Sequence, residues 1–326
     1  MSRRAFLVYW LCLTGIGPLA RAQNAAPRVA ILSPDPATAG SNRLAPFLGT
    51  LHKLGYIDGQ NIRLDIRFAE NRLDRLPALA AELVKARPAV IYTYTTPGAF
   101  AAAGATTSIP IVVGPAGDQT LEQLAGDFAK PVANVTGLAP AIESQAAKCL
   151  QLLKEAAPNL TRIGVLLNPD NPGGRDSSAL NTAANQLGLV LIRVESRGAV
   201  DIGQTLSHYT NGTVDGLLLG DDSTLAGDSG VRARVIEFAR EQHLPSVSWN
   251  NTYARAGGLL SLGTDIGSIF QRGAEYVHRI IHGARPSELP VERPTNFELV
   301  VNLKTAKALG LTIPRSILAR ADEVIE

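Results

Sequence analysis

The sequence predicts an α/β protein of two lobes, each a parallel sheet flanked by helices. Three observations point there. An apolar run opened by arginine and closed by a polar–proline–aspartate turn occurs twice, as Arg28-Val-Ala-Ile-Leu-Ser-Pro-Asp-Pro36 and as Arg162-Ile-Gly-Val-Leu-Leu-Asn-Pro-Asp170. A Leu-Gly pair ends the helical stretch after each copy, at Leu54-Gly55 and Leu187-Gly188, and leads into another strand. Two further strand signals match between the halves, 89–93 with 216–219 and 109–113 with 244–248. A short apolar run bounded by Asn, Pro and Gly is a buried strand ending in a turn. A repeated strand–turn–helix order means two similar units, and their facing strand ends enclose a cleft.

In the first unit, a strand over 28–32 stops at Ser33-Pro34-Asp35-Pro36, and a helix over 43–54 ends at Gly55, a residue suited to a left-handed C-terminal position. Ile62, Leu64, Ile66 and Phe68 alternate along a second strand. Asp74 stands where it would cap a helix whose apolar face holds Leu76, Leu79, Ala80, Leu83 and Val84. A third strand ends at Tyr94-Thr95-Thr96-Pro97, with an alanine-rich helix from about Gly98. Hydroxyls and free N–H groups at that helix start suit a carboxylate, or serve only to cap the helix. The fourth strand runs into Gly114-Pro115-Ala116-Gly117-Asp118, a second glycine-rich turn on the sheet edge where open α/β sheets bind ligands. Residues 131–140, bounded by prolines, read as the first crossing between lobes.

The second unit opens with a helix over 142–156, and its strand-end turns fall at 168–174, 220–223 and 249–251. A last strand over 257–263 precedes a return crossing. A helix over 266–281, a proline-rich connector over 283–294, an edge strand over 297–301 and helices over 303–309 and 315–325 complete the chain.

With 326 residues, 45% of them hydrophobic, the chain can bury about two domain cores. Its formal charge of +2 is misleading as a sign of nucleic-acid binding. Residues 1–22 hold Arg3, Arg4 and Arg21 and no acid, and removing these three from 31 basic side chains leaves 28 against 29 acidic ones. A near-neutral surface without a basic run has nothing to grip a phosphate backbone, so no nucleic-acid partner is expected. The same 22 residues read as an export signal: a basic start, an apolar segment over 5–16 too short to span a bilayer, and Ala20-Arg21-Ala22 as the cleavage pattern. Ser2-Arg3-Arg4-Ala5-Phe6-Leu7 also fits the twin-arginine pattern, so both export routes stay open. Cys149 is the one cysteine beyond this segment. It shares a helix face with Ile142, Ala146, Leu150 and Leu153 and reads as a buried structural thiol.

Enzyme signatures are absent: no Gly-x-Ser-x-Gly elbow, no phosphate-binding Gly-x-x-x-x-Gly-Lys loop and no Gly-x-Gly-x-x-Gly after the first strand. His278 and His282 have a zinc-compatible spacing beside Glu275 but no clear further partner, so a solvated helix face is the expectation and no metal or cofactor is assigned. Asp221 and Asp222 end a strand, and one of them facing the cleft would suit an ammonium group; a helix cap is the competing role. Trp249 with Asn250 and Asn251 offers an aromatic beside amides, suited to a small amphipathic ligand, although a half-buried surface tryptophan explains it equally. The candidate ligand-binding residues are therefore Ser33, Tyr94, Thr95, Thr96 and Asp118 in the first lobe, and Asn168, Asp221, Asp222, Trp249 and Asn250 in the second.

Several stretches resemble a known family. They are Pro-Thr-Asn-Phe-Glu-Leu-Val-Val-Asn-Leu-Lys-Thr-Ala-Lys-Ala-Leu-Gly-Leu-Thr-Ile-Pro over 294–314, Leu-Gly-Tyr-Ile-Asp-Gly-Gln-Asn over 54–61, Asp-Arg-Leu-Pro-Ala-Leu-Ala-Ala-Glu-Leu-Val over 74–84 and Asn-Val-Thr-Gly over 134–137. In these the chain is similar to ABC transporter periplasmic substrate-binding proteins of the tryptophan/tyrosine type. The resemblance implies the type I periplasmic binding protein fold, two Rossmann-like lobes joined by a multi-strand hinge. It also implies closure over a small solute, an amino acid or related carboxylate, and delivery of that solute to an inner-membrane ABC permease. The sequence departs from the family at the turns: Gln119 follows Gly117-Asp118 where proline is usual, Leu262 stands where tyrosine is common, and Asn251-Thr252 replaces an Arg-Glu pair. The expected division is a signal peptide over 1–22, a first lobe over 23–137 plus about 264–285, and a second over 138–263 plus about 286–326. A periplasmic monomer is expected, and no enzyme. A sensory module feeding a chemoreceptor or kinase is the alternative role.

Overall fold

The structure, a computed structural model, describes residues 26–326 apart from 141, 172–177, 210–211, 221, 223 and 294–296. The export-signal reading of 1–22 and the candidate Asp221 lie outside the described residues. In the first lobe strands and helices alternate: β1 (Arg28–Ser33), α1 (Ala37–Lys53), β2 (Arg63–Phe68), α2 (Leu76–Lys85), β3 (Val90–Thr93), α3 (Thr96–Ala105), β4 (Ile111–Pro115), α4 (Asp118–Ala125) and β5 (Val135–Leu138). The strands pair in parallel in the order β2-β1-β3-β4-β5. Successive strand residues point to opposite faces, and here both faces are apolar, as a parallel sheet covered on both sides requires. Val29, Ile31, Val90, Tyr92 and Val112 pack with Phe47 and Phe270 on one face, while Ala30, Leu32, Ile91 and Val113 pack with Leu76, Ala99 and Leu121 on the other.

The second lobe begins with α5 (Ile142–Ala156) and continues through β6 (Arg162–Leu167), α6 (Ser178–Gln186), β7 (Val190–Glu195), α7 (Ile202–Ser207), β8 (Gly216–Leu219), α8 (Ser229–Glu241), β9 (Ser246–Ser248), α9 (Thr252–Arg255) and β10 (Leu260–Thr264). Then α10 (Ile266–Ile281) returns to the first lobe, where it packs on α1, β3 and β4 through Phe270, Ala274 and Val277. The chain crosses back into β11 (Phe297–Asn302), α11 (Leu303–Ala308), α12 (Arg315–Leu318) and β12 (Glu323–Ile325). The second sheet runs β12-β11-β10-β9-β8-β6-β7, with β11 antiparallel to β10. Two sheets and three passages of chain between them, after β5, after β10 and before β11, set the architecture.

Five expectations need correcting. The stretch 131–140 is not only a crossing: it holds β5, whose residues have no room in the sequence pattern to show a period. The connector beyond residue 286, expected in the second lobe, lies along the first sheet up to Glu292. Thr136 Oγ1 donates to the Leu289 carbonyl at 2.6 Å, and Ala139 N donates to the Glu292 carbonyl at 2.9 Å. The helix expected over 315–325 ends at Leu318, because Asp322 exchanges hydrogen bonds with Leu299 and draws 323–325 into an edge strand beside β11. β11 is therefore not the edge. Asp74 sits in a short 3-10 turn paired with Arg72 at 2.9 Å rather than capping α2.

Candidate functional site

The C-terminal ends of β1 and β3 meet in a buried polar chain. The Tyr94 hydroxyl donates to Asp35 Oδ2 at 3.0 Å, and Arg43 Nε pairs with the same oxygen at 2.9 Å. That leaves the Tyr94 oxygen to accept from Ser33 Oγ at 2.6 Å. Burial, with the Asp35 charge beside it, pushes the Tyr94 phenol far above its ordinary value, so it stays a donor. Ser33 and Tyr94 are thus spent on one another and fix the floor of the first lobe.

Thr95 follows. It precedes α3 with φ 64° and ψ 158°, a conformation nearly confined to glycine, and its Oγ1 is buried without a hydrogen-bond partner. Pro115 O accepts from Thr95 N at 2.8 Å and holds the strained residue in place. Thr96 Oγ1 lies 2.9 Å from Thr120 Oγ1 and ties α3 to α4. Asp118, at the start of α4, pairs with Arg293 at 3.1 Å, and the Arg293 guanidinium also lies over the Phe128 ring.

Across the gap the second lobe's turns are knotted together. Asn168 Nδ2 donates to Thr224 Oγ1 at 2.9 Å, and the Thr224 hydroxyl and N–H donate to Asp222 Oδ1 at 2.5 and 2.8 Å. Asn171 Nδ2 reaches the other Asp222 oxygen at 2.6 Å. One carboxylate therefore joins the turn after β6 to the turn after β8, and its partners among the described residues are neutral donors. Asn250 accepts from the N–H and hydroxyl of Thr252 at 3.0 and 2.5 Å, the work of a local cap. Trp249 is half-buried, packs on the second core and lies across Gly220, where a Cβ would come within 2.8 Å of its ring.

Between the lobes is a cavity of about 960 Å³. Its first-lobe wall includes Asn71, Leu73, Pro97 and Phe100, and its second-lobe wall Asn168, Asp170 and Arg197. Among the described candidates, Asn168 lines it; Thr95, Thr96, Asp118, Asp222 and Trp249 are not among its walls, Ser33 and Tyr94 lie beneath the surface, and Asn250 serves α9. Sequence reasoning missed Asn71. It has φ 58°, its N–H donates to Pro34 O at 2.9 Å, and its Oδ1 is buried without a partner. The Glu-Asn step after a strand was the available turn signal.

Other chemistry is weak. The hydroxyl of Tyr56 lies 3.0 Å from His278 Nδ1 and 3.4 Å from His282 Nδ1; burial, then the neighbouring His282, lowers the His278 value. Among the described residues no group of three or more His, Cys, Asp or Glu is placed to hold a metal, and no helix is long and apolar enough to cross a membrane. Cys149 is fully buried, and burial pushes its thiol up, away from the reactive thiolate.

Comparison with known proteins adds the following. The family described as ABC transporter substrate binding protein matches residues 37–325. A tyrosine-binding protein of Clostridioides difficile (strain R20291) is 25% identical over 266 residues, 81% of this chain and 75% of that one. A Streptococcus pneumonia ABC domain solved in complex with L-Trp superposes with a TM-score of 0.81 at 24% identity, covering 92% of this chain and 100% of that one. The ligand-free, open structure of a Clostridium difficile substrate-binding protein with adhesive properties gives 0.64 at 25% identity, covering 92% and 99%.

Proposed function

The chain belongs to the ABC transporter substrate-binding protein family, and on that basis we propose that it is the extracytoplasmic receptor of an ABC importer, closing on an amino acid or related small carboxylate between its lobes. The family is one of solute-binding proteins and not of enzymes. The observation that carries the reading is the cavity of about 960 Å³ walled by both lobes at the C-terminal ends of their strands, the place where open α/β sheets take ligands.

The solute carboxylate docks at the start of α3, where Thr95 and Thr96 stand beside free backbone N–H groups. Its ammonium goes to Asp222, whose partners among the described residues are all neutral. Asp118, already matched by Arg293, is a poorer choice. The three passages between the sheets form the hinge, with the first lobe over 26–138 and 266–292 and the second over the remainder. The protein works as a periplasmic monomer exported by residues 1–22, hands its solute to an inner-membrane permease and binds no nucleic acid.

Thermal shift against the standard amino acids and aromatic acids tests this. A ligand at a hundred times its dissociation constant raises stability by about 2.7 kcal/mol, and small-angle scattering should show a smaller radius of gyration with it. A flat response over the whole panel contradicts the amino-acid reading.

A further inference from the structure

We propose that His278 and His282 form a chelating site for a divalent late transition metal, copper(II) foremost, outside the cavity between the lobes. His278 stands in the last turn of α10 and His282 follows that helix as its C-terminal cap. Residues four apart on a helix share a face, and here the ring centroids are 4.3 Å apart. The spacing alone predicts a solvated helix face; what the fold adds is a fixed partner for the inner nitrogen of each ring. His282 Nδ1 lies 2.9 Å from the His278 carbonyl oxygen, which can only accept, so the ring hydrogen is on Nδ1 and the lone pair on Nε2. His278 Nδ1 lies 3.0 Å from the Tyr56 hydroxyl, an oxygen that can accept a hydrogen from it and leave its Nε2 open as well. Among the described residues neither Nε2 takes a hydrogen bond. Histidines that ligate metals hold their second nitrogen in this manner, against an oxygen that fixes the tautomer and the ring.

The surroundings decide which metal fits. His278 is half-buried and His282 exposed, so an ion can reach the pair. Neighbouring carboxylates are taken, Glu275 by Arg272 and Glu288 by Arg285, and no third His, Cys, Asp or Glu among the described residues joins the two rings. Structural zinc closes a tetrahedron with four protein ligands. Two imidazoles with water completing the shell suit a tetragonal copper(II) ion, the strongest binder of the divalent series at nitrogen sites. The end of α10 adds the negative pole of a helix, which favours a cation. Tyr56 belongs to the loop after α1 and packs on the first lobe's core, so a metal on the rings also ties that loop to α10 and stabilises the lobe.

Titration of the exported protein, free of any affinity tag, with copper(II) tests the site by calorimetry and electron paramagnetic resonance. One ion should bind, with a spectrum split by two nitrogens, and should raise the melting temperature. His278→Ala and His282→Ala should each weaken binding about a hundredfold or more, and Tyr56→Phe about tenfold with the two-nitrogen spectrum kept. His52→Ala, in the last turn of α1, should leave binding unchanged. The melting temperature without metal checks that each variant is folded. Copper that binds the variant lacking both histidines as tightly as the unaltered protein, a spectrum from fewer than two nitrogens, or an equal loss in His52→Ala overturns the site. None of these results bears on the receptor reading, which rests on the cavity.

Discussion

The two lobes repeat the same strand-and-turn module but finish it in opposite ways. In the first, the turns after β2 and β3 hold three non-glycine residues at positive φ, Glu70, Asn71 and Thr95, and the last two each have a buried polar atom without a partner. In the second, the turns after β6, β8 and β9 are internally satisfied through Asn168–Thr224–Asp222–Asn171 and Ser248–Asn250–Thr252. Duplicating a backbone does not duplicate its chemistry. The first lobe's turns keep two buried polar atoms without partners, and the described turns of the second are tied together through one carboxylate.

The largest expected effect tests the rigidity of the second lobe's turns. A Cβ at Gly263 would fall 2.4 Å from Trp249 O and 2.8 Å from Asn251 N, both backbone atoms. Gly263→Ala should cost about 3 kcal/mol in denaturant unfolding; a loss near zero would mean that the second lobe's turns yield freely. Next, Asp222→Ala strips the acceptor from Thr224 and Asn171 and should cost about 2 kcal/mol of stability, with solute affinity falling at least about tenfold. Unchanged affinity would move the ammonium elsewhere.

Thr95→Gly separates the lobes most sharply. It relieves a backbone conformation that costs a threonine about 1–3 kcal/mol, so the melting temperature should rise while solute binding weakens by loss of the hydroxyl. A variant that is destabilised, or that binds better, would show that the first lobe's strain has no part in binding.

The smallest effect concerns pH, and it should treat the lobes alike. A hydrogen bond from Arg272 is the main cause holding Glu292 below its ordinary 4.5, and one from Arg162 holds Asp215 below its ordinary 3.8. A depressed carboxylate contributes stability that is complete above the unfolded value and lost as pH falls through the folded one. The melting temperature should therefore be level from pH 7 to about 5 and decline below. A maximum near pH 4 would contradict this assignment.

Much of this was legible in the chain. The apolar runs at 28–32 and 162–167 and their proline-marked ends locate β1 and β6, and the expected helices over 142–156 and 266–281 coincide with α5 and α10. Such elements bury a periodic face, and periodicity is what a sequence displays. The sequence predicts helix over 323–325, where the structure has β12, because three residues at a sheet edge owe their form to β11 and not to local preference. The site was less legible. Thr95, Thr96, Asn168, Asp222, Ser33 and Asn250 share one signature, a polar residue at a strand end, yet of these it is Asn168 that lines the cavity, and Ser33, Thr96, Asp222 and Asn250 are engaged by scaffold contacts. The Asn71 Oδ1 atom differs from them in being buried without a partner, and that property exists only after folding.

A crystal structure of the protein with its bound amino acid tests the central claim most directly. The solute should touch Thr95 or Thr96 on one side and Asp222 on the other in the same molecule, with the lobes drawn together around it. A solute held by one lobe alone, or seated outside the cavity between them, would contradict the claim that the turns of the first lobe and those of the second make one binding site.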